Sequence, residues 1–319
     1  MATAITPTGV TFSDSTIQTT AAPAPGGFST RTSAFFYGGG INQSPNYYSQ
    51  LFTTFNQNGV MSVDSTFVNA GQTFATGAMY GQGNGLVYGG YVGATTTVDV
   101  TNISPSGAIS ASTTYAFPGR WGGSSVPYGG TNSVIYLGQL YPGGGTNTSL
   151  LIGGLGIPVS SQAAIGTARQ AGGNGFGFGA GVGMFLGGSA NIYNLVSNVG
   201  VIAADVSAGF GSLGFDEPIG ATYGTDKGVA WQFGSSFKNV YFVSNVGVIS
   251  RVTALAAAAV RGASGATYGN DKAVFAFGDS GSTVFYNTTH LVSNIGTQVA
   301  ETSTLATARS YAAASSIGN

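Results

Sequence analysis

The stretch Ala266 to Thr297 narrows the possible folds of this chain more than any other. It runs ATYGNDKAVFAFG and then, after a polar interval, GSTVFYNTTHLVSNIGT. One unit upstream, Ala221 to Ile249, the phrase returns as ATYGTDKGVAWQFG followed by NVYFVSNVGVI, and NLVSNVGVI stands at Asn194 to Ile202. A phrase recurring in order at a steady interval marks a repeat architecture, in which each unit buries its apolar face only against its neighbours. From Arg31 onward six units align on a glycine that ends an apolar alternation: Gly38, Gly89, Gly138, Gly187, Gly234 and Gly278, steps of 51, 49, 49, 47 and 44 residues. A second series, Gly59, Gly107, Gly156, Gly200, Gly247 and Gly296, precedes a short final strand in each unit.

Each unit reads as four short strands separated by Gly, Asn and Asp, the pattern of an all-β chain. A period near 50 is that of propeller blades. Ala and Gly dominate the first strand, where six strands crowd one axis, while Phe, Tyr, Val, Leu and Trp fill the second and third. The chain stops at ARSYAAASSIGN, a first strand lacking its partner, and RTSAFFYGG near the start is a second strand lacking a first. Pairing Ala308–Asn319 with Thr32–Gly38 makes one blade from both ends and removes the sheet edges. The expected fold is therefore an all-β, six-bladed propeller over residues 29–319. Residues 1–28, ending in the AAPAPGG linker, form an extended N-terminal arm with Phe12 and Ile17 as anchoring side chains.

Only 6% of residues are charged and the net charge is -1, with Gly 54 of 319. That excludes the basic stripe a nucleic-acid partner requires. There is no cysteine, hence no disulfide and no thiolate. The apolar runs are far shorter than the ~20 residues of a membrane helix, and MATAITPTGVTF has neither the basic nor the apolar region of a signal peptide. No cofactor motif is present: GFGFGAGVG at Gly175 to Gly183 lacks the βαβ context of a nucleotide loop.

GVTFSDSTIQTTAA, at Gly9 to Ala22, resembles short segments of tailed-phage tail and fibre proteins. The repeat, with its apolar strands ending in Gly38-Gly39, Gly89-Gly90 or Gly187-Gly188 and phrases such as YGNDKAVFAFG, is similar to kelch-like repeats of phage-associated proteins. The resemblance covers almost all of Arg31 to Asn319. It implies a virion structural protein (tail fibre, baseplate or capsid decoration) held by its arm to other virion proteins and contributing to host-surface attachment, with a host glycan as a further partner. The rival readings are a stand-alone carbohydrate-binding propeller and a glycan-cleaving enzyme.

The candidate contact residues follow the repeat. Arg120, Arg169 and Arg309 each lie eight residues after a fixed fourth-strand position, Ser112, Ser161 or Glu301, and Arg261 is aligned with them; the same fourth-strand position is acidic at Asp64 and Asp205. Arginine and carboxylate in register predict charge-assisted ties between blades; the alternative is an arginine-lined channel mouth for an anionic sugar. Tyr193, Tyr241 and Tyr286 fall near third-strand starts, where they either pack between blades or form a sugar-stacking platform. His290 occupies a repeat position held elsewhere by Asn194 or Tyr241, a poor place for a unique catalytic base, so no enzymatic activity is expected.

Overall fold

The computed structural model describes residues 5–6, 9–11, 17–18 and 31–318, except 42–48, 67–71, 93–94, 115–121, 137, 139–146, 164–166, 168–173, 188–191, 209–218, 235–236, 254–260 and 281–283. All regular structure among them is β. Six four-stranded antiparallel sheets form the blades, each strand hydrogen-bonded to the next outward. Blade 1 comprises Ala313–Ile317, Ser33–Tyr37, Leu51–Phe55 and Ser65–Thr66. Blades 2 to 6 begin with the inner strands Thr76–Tyr80, Ser124–Tyr128, Asn174–Phe178, Ile219–Tyr223 and Ser264–Tyr268.

Blade 1 is the expected closure. Ala313 pairs with Tyr37 and Ile317 with Ser33, and Gly40 bridges Ser310. Each inner strand packs against the inner strands of both neighbours, completing the circle. Six apolar clusters fill the six gaps. Trp231 of blade 5 stacks on Phe275 of blade 6 at 4.7 Å, and Phe36 of blade 1 meets Phe277 of blade 6 edge-on at 5.4 Å.

The inner strands of neighbouring blades do not form a ladder, so their exposed edges need other partners. Hydroxyls supply them. Thr222 Oγ1 donates to the Gly177 carbonyl at 2.9 Å, Thr267 Oγ1 to that of Thr222 at 2.8 Å, and Ser125 Oγ to that of Gly77 at 2.6 Å. The Thr267 amide in turn donates to Ser316 Oγ at 3.1 Å. Small inner residues thus do more than fit a narrow axis: Ser and Thr carry the hydrogen bonds, and glycines such as Gly77 and Gly175 let a neighbouring carbonyl approach where a Cβ would collide at 2.2 and 1.9 Å.

At the turn-side end of each inner strand stands a large residue followed by glycine: Tyr80-Gly81, Tyr128-Gly129, Phe178-Gly179, Tyr223-Gly224, Tyr268-Gly269 and Ile317-Gly318. All six glycines have positive φ, a region glycine enters without strain. Each glycine amide donates to a hairpin carbonyl of the next blade: Gly81 to Thr131, Gly129 to Gly181, Gly179 to Asp226, Gly224 to Asp271, Gly269 to Thr32 and Gly318 to Gly83, all between 2.7 and 3.0 Å. These six bonds circle the axis without a break. The apolar residue before the glycine docks on the next blade's turn between third and fourth strands. Tyr80 lies over Gly156, Tyr128 over Gly200, Tyr223 over Gly296 and Tyr268 over Gly59. The second glycine series of the sequence therefore supplies these sockets, and all six of its members have φ between 73° and 86°.

Two expectations are corrected. Strand pairing places Gly38 in register with Gly89 and Gly187 but with Gln232 and Phe277 in blades 5 and 6, and in blade 3 Gly138 follows two residues after Tyr136, the partner of the first inner-strand residue, so Gly138, Gly234 and Gly278 lie one or two residues late. Strand-end glycines drift because the following loops vary, whereas hairpin and socket glycines are held by contacts. The fourth strand does not start directly after the socket in blades 1, 2 and 4: single bridges (Phe55 to Met61, Ile103 to Ile109, Val196 to Ile202) precede regular pairing. In the N-terminal region Ile5–Thr6, Gly9–Thr11 and Ile17–Gln18 pair with one another as a small meander; Phe12 lies outside the described residues, as does the side chain of Ile17.

Gly156→Ala sets a left-handed alanine against the Tyr80 ring, whose nearest atom would be 2.4 Å away, whereas at Gly59 the nearest atom is 3.9 Å away. Urea unfolding is expected to show a loss of about 3 kcal/mol for Gly156→Ala, backbone strain plus overpacking, and about 1 kcal/mol for Gly59→Ala, strain alone. Equal losses would remove the ring-in-socket contact as a stabilising element.

Candidate functional site

The topology gives the propeller two unlike faces. The inner hairpins and the sockets lie on one, here the turn face. The loops between second and third strands and the links between blades lie on the other, the loop face. Loop length there varies: two residues separate Lys227–Gly234 from Phe237–Val243, and thirteen separate Ser33–Tyr37 from Leu51–Phe55. Variable loops on a rigid frame are where recognition residues concentrate.

Arg309 approaches blade 1 from this side, just ahead of its inner strand, and is fully buried. Its Nη1 donates to Asp64 Oδ1 at 2.7 Å, and its Nη2 to Thr53 Oγ1 at 2.5 Å and the Phe36 carbonyl at 3.5 Å. The guanidinium therefore touches the second strand, the third strand and the entrance to the fourth, while its own backbone leads into the first. It also lies 4.1 Å over the ring of Phe277 in blade 6. Asp64 further accepts from the Thr307 amide at 2.5 Å and from the Thr53 hydroxyl. Burial alone would raise the Asp64 pKa; the bonds from Thr53 and Thr307 and the Arg309 charge outweigh it and hold the carboxyl below its ordinary 3.8. On the partner, burial lowers the Arg309 pKa more than Asp64 restores it.

The same register position recurs in every blade and carries five different residue types across the six. Opposite the middle of the second strand stand Thr53, Thr101, Leu150, Asn194, Tyr241 and His290. In blade 4 Asp205 accepts from the Thr167 amide at 2.7 Å, the Thr167 hydroxyl at 2.8 Å and Asn194 Nδ2 at 2.9 Å, repeating the Asp64–Thr307–Thr53 arrangement. In blade 2 neutral groups take over, with Thr101 and Ser112 hydroxyls 2.7 Å apart. In blade 5 Tyr241 is fully buried opposite Arg251; burial raises its pKa against the pull of Arg251. His290 is buried with its ring 4.8 Å from that of Trp231.

Arg120 and Arg169 lie outside the described residues. Arg261 does not share the place of Arg309. The bridge Arg261–Asp279 corresponds to Ser310–Gly40, so Arg261 is one residue out of step and, by the two-residue alternation of extended chain, turned the other way. Its side chain is 47% exposed and its Nε pairs with Asp279 Oδ1 at 2.7 Å. Tyr193 and Tyr241 are buried within blades 4 and 5, and Tyr286 packs half-buried against the cluster between blades 5 and 6, so they take the packing role rather than forming an exposed platform.

Among the described residues, Arg31 is the arginine that reaches the axis. It is buried and lines a cavity of about 40 Å³ with Ser315, Met79, Pro127, Phe176, Thr222 and Thr267, one from each inner strand. That space suits a few water molecules and no metabolite. Burial pulls the Arg31 pKa down to about 9, still protonated at neutral pH. Among the described residues no group of three or more His, Asp or Glu is placed to hold a metal ion.

These features define a closed six-bladed propeller with a narrow axis. No family model matches the sequence, and no curated protein matches it. Among solved structures, a catalytically inactive histidine-to-alanine variant of virginiamycin B lyase from Staphylococcus aureus with Quinupristin is similar, at TM-score 0.52 and 11% identity over 84% of each chain. At that identity the likeness concerns the fold alone.

Removing one member of the Arg309–Asp64 pair leaves a buried charge. Arg309→Met is expected to lose about 3–5 kcal/mol in urea unfolding. Because the folded-state pKa of Asp64 is depressed, its contribution is fully present above about pH 4 and disappears as pH falls through the lower folded value. Asp64→Asn should therefore be less stable than the parent at pH 7 and flatten the acid limb of the stability curve; an unchanged acid limb would contradict this assignment.

Proposed function

We propose that this chain is a structural component of a bacteriophage virion, a kelch-like propeller anchored to other virion proteins by residues 1–28, with its loop face turned outward to the host surface. The observation that carries the reading is the position of Arg31. The first described residue of the propeller lies at the axis on the turn face: its carbonyl accepts from the Asn270 amide at 3.0 Å, and its side chain enters the axial cavity. An arm joined there leaves the opposite face, with its variable loops, clear of the particle. The TFSDST-type N-terminus and the kelch-like phrases supply the phage context. The surface chemistry agrees: a charged fraction of 6% and a wealth of Ser, Thr, Asn and Gly suit close packing among other chains and contact with hydroxyl-rich ligands.

We read the protein as a binding and structural part rather than an enzyme. His290 is buried in a repeat position and Asp279 is held by Arg261. Purified particles should contain the chain at a fixed copy number per virion. Its absence from particles, together with glycan binding by the isolated protein, would favour the stand-alone carbohydrate-binding propeller; release of sugar from host glycans would favour the glycan-cleaving enzyme.

A further inference from the structure

Among the described residues, a single charged side chain lines the axial cavity. Arg31 is 2% exposed, and its neighbours in the lining are Gly, Ala, Ser, Thr, Pro, Met and Phe of the inner strands, with no carboxylate. A guanidinium does not escape burial by giving up its proton, and hydrogen bonds to neutral groups leave its charge uncompensated in a site shielded from water. Inner-strand carbonyls are committed elsewhere: those of Gly77, Gly177 and Thr222 are capped by the hydroxyls of Ser125, Thr222 and Thr267. The Thr222 and Thr267 hydroxyls are themselves saturated, since each also accepts from an amide, that of Gly177 at 3.2 Å and that of Thr222 at 3.1 Å. Ser316 differs. It lines the cavity and accepts from the Thr267 amide at 3.1 Å, but among the described residues its hydroxyl donates to none. Its proton is thus available to a ligand in the cavity.

We infer that the axial cavity binds a small monovalent anion of chloride size, between the Arg31 guanidinium and the Ser316 hydroxyl. The charge selects an anion over a neutral or cationic guest, and hydrogen bonds from both groups to an ion are of the strong, charge-assisted kind. The volume of about 40 Å³ selects its size: it admits a halide with a water or two and excludes phosphate-bearing or sugar ligands. Water alone is the rival occupant, but it leaves the buried charge uncompensated. The ion joins Arg31, where the chain enters the propeller, to Ser316 in the C-terminal strand that closes blade 1, and so strengthens the ring where both chain ends meet. The inference concerns the stability of the propeller itself and does not depend on the proposed virion role.

The Tm of the full-length protein, followed while sodium chloride or bromide replaces sodium gluconate at constant ionic strength, tests this. A ligand of the folded state raises Tm by mass action, so both halides are expected to give a rise that levels off once the single site is filled and only the logarithmic term remains. Arg31→Met should abolish that response, and Ser316→Ala should raise the halide concentration needed for it about tenfold, the loss of one hydrogen bond to a charged group. Crystals of the parent protein grown in bromide should show an anomalous peak beside Arg31 in the axis. That readout needs no variant and decides the matter if Arg31→Met fails to fold. A Tm indifferent to halide, a linear rise retained in Arg31→Met, as a general salt effect gives, or bromide crystals with no peak in the axis, as water alone gives, would each overturn the proposal.

Discussion

Six glycines at the ends of the inner strands, each passing a hydrogen bond to the next blade, hold the axis of this propeller closed. The geometry allows no side chain at most of these sites: at Gly81, Gly129, Gly179 and Gly224 an added Cβ would come within 2.7 Å of a carbonyl in the neighbouring blade. The bonds place consecutive hairpins in register, which in turn sets each apolar ring over its socket glycine. Packing between blades, hydroxyl bonds between inner strands and the Arg309 tie are all built on that placement. Because the last bond of the circle comes from Gly318, the C-terminal strand is as much part of the frame as any internal one.

The division of labour between faces follows from the same constraint. On the turn face every blade makes the same contacts, so sequence and length vary little. On the loop face the links join neighbouring blades through backbone bonds, such as Gly278 to Arg309 and Gly39 to Gln72, each at 2.7 Å, and residue type is free to change. The register position held by Thr53, Asn194, Tyr241 and His290 shows this freedom within the protein interior: a hydroxyl, an amide, a phenol ring and an imidazole serve one place in four blades. Ahead of the inner strands, Phe74 and Tyr311 take the left-handed place that Gly122 and Gly262 hold in two other blades.

The repeat, the strand count per blade, the shared blade and the Asp64 and Arg309 positions were all legible in the chain, because periodic contacts write periodic residues. The phase of the first glycine series was not. Gly278 resembles Gly38 in the linear pattern, yet Phe277 takes its place, since a left-handed residue can be aromatic when its ring has a buried site. Arg261 misled for a related reason: an insertion of one residue in the link is invisible in a sequence but reverses a side chain. Nothing in the order of residues marked Phe74 and Tyr311 as left-handed, since the glycine expected there stands only in the blades of Gly122 and Gly262.

Sequence alone determined the class of fold, since recurrent glycine and apolar alternation admit few solutions other than a ring of small sheets, and it determined that charge would be scarce enough for each ion pair to matter. Which arginine meets the carboxylate, which acid it finds across the length of the chain and on which face Arg31 lies were decided only in three dimensions. The reason is that circular closure brings residue 64 beside residue 309 and residue 74 beside residue 311, and separation along a chain carries no record of such proximity.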